Sequence, residues 1–301
     1  MPVSGLDAHR KSKDSVSAKV GIVWRKAGEG PRLLVSIRSV NESNRAIAGG
    51  AEILDIKEPG RGSLGMATIE EIVAIANLRP TLSESIPLSV ALGELVDWTS
   101  ASEFPILPAG ITFVKLGLSR CASNRTWRTD WQRTRAEFER RSSSTLNWVA
   151  VAYGDSTEAG SPPVAEVVAA AMESGCSGLL VDTWTKDGRT IFDGMDEESL
   201  TTIAADCHAA GLFFAVAGNV RGETLSSLAA VPVDVVAIRS AACVGTDRTA
   251  ELDACRIADF RKAMSRCFDQ SVRPIRHHNP QAISVVSVPE LFDTDDLATL
   301  D

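Results

Sequence analysis

The chain has 301 residues, 44% of them hydrophobic and 23% charged, which is ordinary globular composition with enough apolar material for one large core. Its formal net charge of −8 leaves no basic face to neutralise a nucleic-acid backbone, and no apolar run approaches the roughly 18 residues of a membrane span. A soluble, cytoplasmic protein with neither nucleic acid nor membrane as partner is expected. Residues 1–31 begin MPVSGLDAHRKSKDS, polar and without an apolar signal region, and then pass through VGIVWRKAGEGP, which offers at most a short appended strand. They are read as an N-terminal extension. The next expected unit is a folded domain over 32–267, and the polar, Pro- and His-bearing segment 268–301, closing on DTDDLATLD, is read as a C-terminal tail.

Within 32–267, short β-rich runs alternate with helical patterns. The predicted strands are LLVSIR (33–38), ILDIK (53–57), PLSVALGE (87–94), FVKLGL (113–118), WVAVAYG (148–154), GLLVDT (178–183), FFAVAG (213–218) and VVAIRS (235–240). Amphipathic stretches at 68–78, 127–144, 163–174, 197–210, 221–229 and 249–266 read as helices, whereas 95–108, with two prolines, shows little periodicity. Eight strand–helix units in order imply parallel strands with right-handed crossovers. That count fits a closed (β/α)8 barrel, the TIM barrel, better than an open doubly wound sheet.

The six cysteines, Cys121, Cys176, Cys207, Cys243, Cys255 and Cys267, show no CxxC spacing, as scattered reduced thiols do. His9, His277 and His278 lie in the terminal segments, and neighbouring Cys207 and His208 point to different faces of their helix. Neither a metal site nor a cofactor is expected.

Charged residues gather at the strand ends, where a parallel barrel carries its reactive groups. In ILDIKEP, Asp55 and Lys57 are two apart and share the inward face, while Leu54 and Ile56 face the helices. Lys115 in FVKLGL points inward by the same alternation. Asp182 ends strand six, and Lys186 follows in the loop TWTKDGRTIFDG. A lysine attacks a carbonyl only as the free amine, and a second ammonium nearby lowers its pKa. Lys115 or Lys186 could act so on Lys57, with Asp55 and Asp182 carrying protons. The structural alternative is an ion-pair lattice, Asp55 to Lys57 and Asp182 to Lys186, that plugs the barrel. Phosphate is suggested by the loops after strands seven and eight, AGNVRGE and IRSAACVGTDR. Gly218, Asn219, Arg239 and Ser240 fit a cup there, and Ser63 in GRGSLG suggests a second anion contact.

The stretches AIAGGAEILDIKEPGRGSLG, FVKLGL, VAVAYGD, SGCSGLLVDTWTKDGRTIFD, GLFFAVAGNV and VVAIRSAAC together resemble the (5-formylfuran-3-yl)methyl phosphate synthase family over about 33–266. The resemblance implies a (β/α)8 lyase of the Schiff-base aldolase type. Such an enzyme condenses two molecules of glyceraldehyde 3-phosphate into a furan aldehyde phosphate, with loss of phosphate and water, for methanofuran-type cofactor biosynthesis. It maps the Schiff-base lysine onto Lys57, further active-site lysines onto Lys115 and Lys186, and acidic partners onto Asp55 and Asp182. The family's usual KNPKEGSLG stands here as KEPGRGSLG, and strand three ends VALGE where a Thr-Val-Gly-Asp-like end is common. Triose phosphates are the implied small-molecule partners, and the sequence leaves room for a homo-oligomer. Two rivals follow from the same residues: a class I aldolase acting on another sugar phosphate, and a non-catalytic barrel that senses a phosphometabolite.

Overall fold

The computed structural model describes residues 30–78, 86–142 and 144–271. The stretch 20–29, where most of the appended strand was expected, and His9, His277 and His278 lie outside the described residues. Eight parallel strands close into a barrel in chain order: β1 (Arg32–Ile37), β2 (Ile53–Ile56), β3 (Leu88–Glu94), β4 (Phe113–Gly117), β5 (Asn147–Tyr153), β6 (Gly178–Asp182), β7 (Phe213–Val216) and β8 (Val235–Ile238). Closure is the β1–β8 pairing, with Leu34 opposite Ala237 and Val35 opposite Ile238. Every predicted strand is present with ends within two residues of expectation.

Alternation explains why these segments close this way. Leu34, Ile53, Phe113, Val149, Leu180, Phe213 and Val235 fill the barrel interior as one cluster. Their neighbours Leu33, Leu54, Val114, Ala150, Leu179, Phe214 and Val236 pack outward into the layer shared with the helices. Phe113 and Phe213 meet edge to face at 5.8 Å across the interior.

The outer layer contains α1 (Val40–Ala48), α2 (Ile69–Ala76), the single turn α3 (Leu95–Trp98), α4 (Trp127–Arg141), the short α5 (Ser156–Ala159), α6 (Val164–Glu173), α7 (Glu197–Ala209), the short α8 (Leu225–Leu228) and α9 (Ala254–Ser271). Side chains of Ser39, Thr68 and Asp196 cap α1, α2 and α7 by accepting backbone N–H groups of Glu42, Glu71 and Ser199. Three helical expectations need adjustment. The segment 221–229 is a 3-10 turn (Gly222–Thr224) followed by α8, and α9 starts five residues later than the predicted 249 because 243 and 252 first form a β-bridge. Helix α1, for which no amphipathic stretch was marked out, also forms. The aperiodic 95–108 stretch is held by aromatic contacts, Trp98 to Phe104 at 5.0 Å and both rings against Phe138 of α4.

His208 on α7 places Nε2 2.7 Å from Asp234 Oδ2, and that carboxylate also accepts the Phe214 N–H. Among the described residues no helix is long and apolar enough to cross a membrane.

Candidate active site

The polar layer lies at the carboxyl end of the strands. Lys57 stands one residue beyond β2, its N–H continuing the ladder to Ile37 O at 2.9 Å, and only 8% of the residue is exposed. The chain then makes a 3-10 turn (Pro59–Arg61) and folds back so that Glu58 N–H donates to Gly65 O. A Cβ on Gly65 would lie 2.4 Å from the Glu58 carbonyl, so this close return requires glycine. The return places Ser63 O 3.1 Å from Lys57 Nζ.

Asp55, one turn of the pleat below, pairs with Lys115 of β4: Nζ to Oδ1 is 2.6 Å, and both side chains are buried. Ser36 of β1 donates to the other Asp55 oxygen. At the end of β6, Asp182 Oδ1 accepts from Lys186 Nζ at 3.1 Å and from the Thr183 N–H, while Oδ2 lies 2.9 Å from Ser63 Oγ. Lys186 Nζ also donates to the carbonyl and hydroxyl oxygens of Thr183. All five residues named by the lysine–carboxylate reading border one cavity of about 340 Å³. The lattice alternative is altered: Asp182 pairs with Lys186, but Asp55 pairs with Lys115, and Lys57 Nζ has no carboxylate within 4.0 Å among the described residues.

Burial lowers the Lys57 pKa from 10.5 to about 8, against the pull of the Asp182 and Asp55 charges; the ammonium groups of Lys186 and Lys115 help, with smaller effect. The neighbouring ammoniums, the cause expected from sequence, are thus the smaller contribution. Desolvation in the barrel mouth is the larger one, because ion pairing already offsets much of each neighbouring charge. Burial also disfavours ionised Asp182, but Lys186 and Lys57, with hydrogen bonds from Lys186 and Ser63, outweigh it and bring the carboxyl to about 2.

Anion contacts divide differently from expectation. Gly218 and Asn219 follow β7 with φ of +92° and 52°, and a Cβ on Gly218 would lie 2.9 Å from Thr183 Cγ2. Their N–H groups, and that of Ser240 after β8, donate to no backbone carbonyl among the described residues. All three residues border the cavity. The Asn219 side chain instead ties down the β6 loop, donating to Gly188 O at 2.7 Å. Arg239 is not available as an anion clamp. Its five donor contacts go to Glu42 twice and to the carbonyls of Ser36, Arg248 and Ala250. Ser63 also departs from the expected anion role, because its hydroxyl lies between Asp182 and Thr183 O, where a second negative group would be repelled. Two arginines at the rim, exposed Arg189 and half-buried Arg221, have their own carboxylates, Asp187 at 2.9 Å and Glu223 at 3.6 Å.

The family model for 4-HFC-P synthase matches residues 33–261. The chain belongs to the 4-HFC-P synthase family. Curated relatives include the (5-formylfuran-3-yl)methyl phosphate synthases of Methanothermobacter thermautotrophicus, 34% identical over 72% of this chain and 91% of the relative, and of Methanocaldococcus jannaschii, 31% identical over 72% and 92%. Among solved structures, the 3-hexulose-6-phosphate synthase of Salmonella typhimurium superposes with a TM-score of 0.51 at 14% identity, covering 80% of this chain and 99% of that one. That likeness extends to the fold. The protein is accordingly an enzyme of the 4-HFC-P synthase family built on a TIM barrel.

In this member of the 4-HFC-P synthase family, sequence reasoning overlooked two supporting side chains. Asp155, after β5, is 8% exposed and accepts the Trp184 and Thr185 N–H groups at 2.7 and 2.8 Å, just before Lys186. Tyr153, the sole tyrosine, is fully buried and donates at 2.6 Å to Glu94 Oε1. Burial and the Glu94 charge push its phenol well above the usual value, so it stays protonated. An inward tyrosine at the end of a predicted strand was the available signal; Asp155 reads from sequence as an ordinary turn residue.

Proposed function

We propose that the protein makes (5-formylfuran-3-yl)methyl phosphate from two molecules of glyceraldehyde 3-phosphate in the cytoplasm, through an imine on Lys57, for a methanofuran-type cofactor. The observation that carries this reading is a buried lysine with a pKa of about 8 and no paired carboxylate, in a cavity whose two other lysines are ion-paired.

The free Lys57 amine adds to the aldehyde of one triose phosphate. Loss of water gives the imine, whose cationic nitrogen accepts electron density when the adjacent C–H bond breaks. The resulting enamine attacks the aldehyde carbon of the second triose phosphate. Elimination of phosphate and a second loss of water follow, and ring closure of a hydroxyl onto the imine carbon expels the Lys57 amine, giving the furan and the free enzyme. Asp182 and Lys186, hydrogen-bonded to each other, are suited to pass protons to and from the leaving oxygens. Asp55 and Lys115 keep a balanced pair beneath the reacting atoms. The N–H groups of Gly218, Asn219 and Ser240 suit the phosphate of the imine-forming triose.

Borohydride reduction in the presence of glyceraldehyde 3-phosphate, followed by peptide mass spectrometry, tests this. The expected adduct is on Lys57, accompanied in unreduced samples by phosphate release and a near-ultraviolet chromophore. An adduct on Lys186, or unchanged turnover in Lys57→Ala, would overturn the mechanism. A product lacking the furan chromophore would point to a simpler aldolase.

A further inference from the structure

Two phosphorylated substrates need two anion sites, and the backbone cup after β7 and β8 supplies one. Seven cationic side chains border the cavity, and five of them, Lys115, Lys186, Arg189, Arg221 and Arg239, have a carboxylate within 4.0 Å. The two without one among the described residues are Lys57 and Arg248. Lys57 works as a neutral amine. Arg248 therefore carries the permanent positive charge of this cavity that no carboxylate pairs within 4.0 Å among the described residues, the charges of Asp182 and Glu58 reaching it only from farther away.

Its placement is specific. Arg248 is half-buried in the loop after β8, and its Nη2 donates at 2.9 Å to Gly62 O in the loop after β2. The next carbonyl along that loop, of Ser63, accepts from Lys57 Nζ. The guanidinium and the reactive amine are thus tethered to consecutive residues. The backbone cup at Gly218 and Asn219 follows β7, on the other side of β8. Arg239 cannot compete for the same anion, since its donors are spent on Glu42 and backbone carbonyls, among them Arg248 O at 2.8 Å. The loop that delivers Arg248 also holds two consecutive residues with positive φ, Gly245 and Thr246, the second of them β-branched. Such a costly conformation is characteristic of segments shaped for a site.

We propose that Arg248 binds the phosphoryl group of the second triose phosphate, the one attacked by the Lys57-bound enamine. This assignment rests on the Schiff-base reading given above. A guanidinium held by one N–H to a carbonyl keeps its other donors for phosphate oxygens. Closing the second triose onto Arg248 also brings its aldehyde beside the lysine that carries the first.

Two concentration dependences separate the substrates in Arg248→Gln and Arg248→Lys. One is borohydride trapping on Lys57 against glyceraldehyde 3-phosphate concentration, which reports the first triose. The other is steady-state phosphate release, which also requires the second. In Arg248→Gln the trapping curve should keep its half-saturation within about twofold, whereas half-saturation for phosphate release should rise by about tenfold or more, as expected for a lost charge-assisted contact. Arg248→Lys should recover part of that rise. A parallel shift in both curves would assign Arg248 to the imine-forming triose, and no shift in either, or slower release at unchanged half-saturation, would make it a structural latch; each of these overturns the proposal. Wild-type protein that forms no Lys57 adduct would instead overturn the Schiff-base reading, and thermal unfolding of both variants checks that the barrel is intact.

Discussion

At Lys57, burial and charge act in opposite directions, and the balance determines how much amine is available. With a pKa of about 8, about one molecule in ten carries the free amine at pH 7, against roughly one in three thousand at the ordinary 10.5. The trapping rate with glyceraldehyde 3-phosphate should therefore rise about tenfold per pH unit below 8 and level off above it. The Asp182 charge raises the Lys57 pKa, so removing that charge must move the midpoint downward. Asp182→Asn is expected to show trapping that levels off at lower pH than the wild type while steady-state turnover falls about 100-fold, the scale of a lost acid–base group. A midpoint that stayed in place would mean that burial alone sets the amine, and one that rose would contradict the sign assigned to the Asp182 charge. Lys57 and Asp55 were legible in sequence because period-two alternation in ILDIK leaves no outward place for either. The cause of the shift was not legible, since desolvation depends on how closely the loop from 58 to 65 returns over the lysine.

The loop after β6 carries Lys186 and is held from both sides by neighbouring loops. Asp155, after β5, takes its Trp184 and Thr185 N–H groups, and Asn219 and Arg221, after β7, bind Gly188 O. An aspartate suits this position because both oxygens accept. An asparagine must turn an NH2 toward one of the two N–H donors, so one bond is exchanged for a repulsion. Asp155→Asn should lower kcat by about tenfold, equivalent to about 1.4 kcal/mol, with adduct formation on Lys57 preserved because β2 is untouched. Equal losses in trapping and turnover would show that Asp155 supports the whole barrel mouth rather than the Lys186 loop. Strands and long helices were readable from periodicity. The 95–108 stretch was not, because α3 is one turn and the remainder depends on rings from a helix some thirty residues further along.

Closure is the property of the whole molecule that strand counting could suggest but not demonstrate, and its seam explains the reassignment of Arg239. The residue sits just past β8 and donates to Ser36 O on β1 and to Glu42 on α1, while the loop beyond β8 folds back to offer it the carbonyls of Arg248 and Ala250. Arg239 and Glu42 are 197 positions apart, and no local pattern connects them. From sequence, an arginine in that loop looks like a phosphate ligand. Both side chains of the pair are nearly fully buried, 6% and 4% exposed, so removing one charge leaves the other without its partner in a poorly solvated place. Glu42→Gln should destabilise the protein by about 3–5 kcal/mol, read from the urea midpoint at unchanged slope. The double variant Glu42→Leu with Arg239→Met removes both charges together and should recover much of that loss, since an apolar pair of similar volume avoids the unpaired guanidinium. In the fraction that remains folded, adduct formation on Lys57 should persist, because neither partner contacts the reacting atoms. Loss of trapping in folded Glu42→Gln would place this pair within the substrate site instead of at the seam of the barrel.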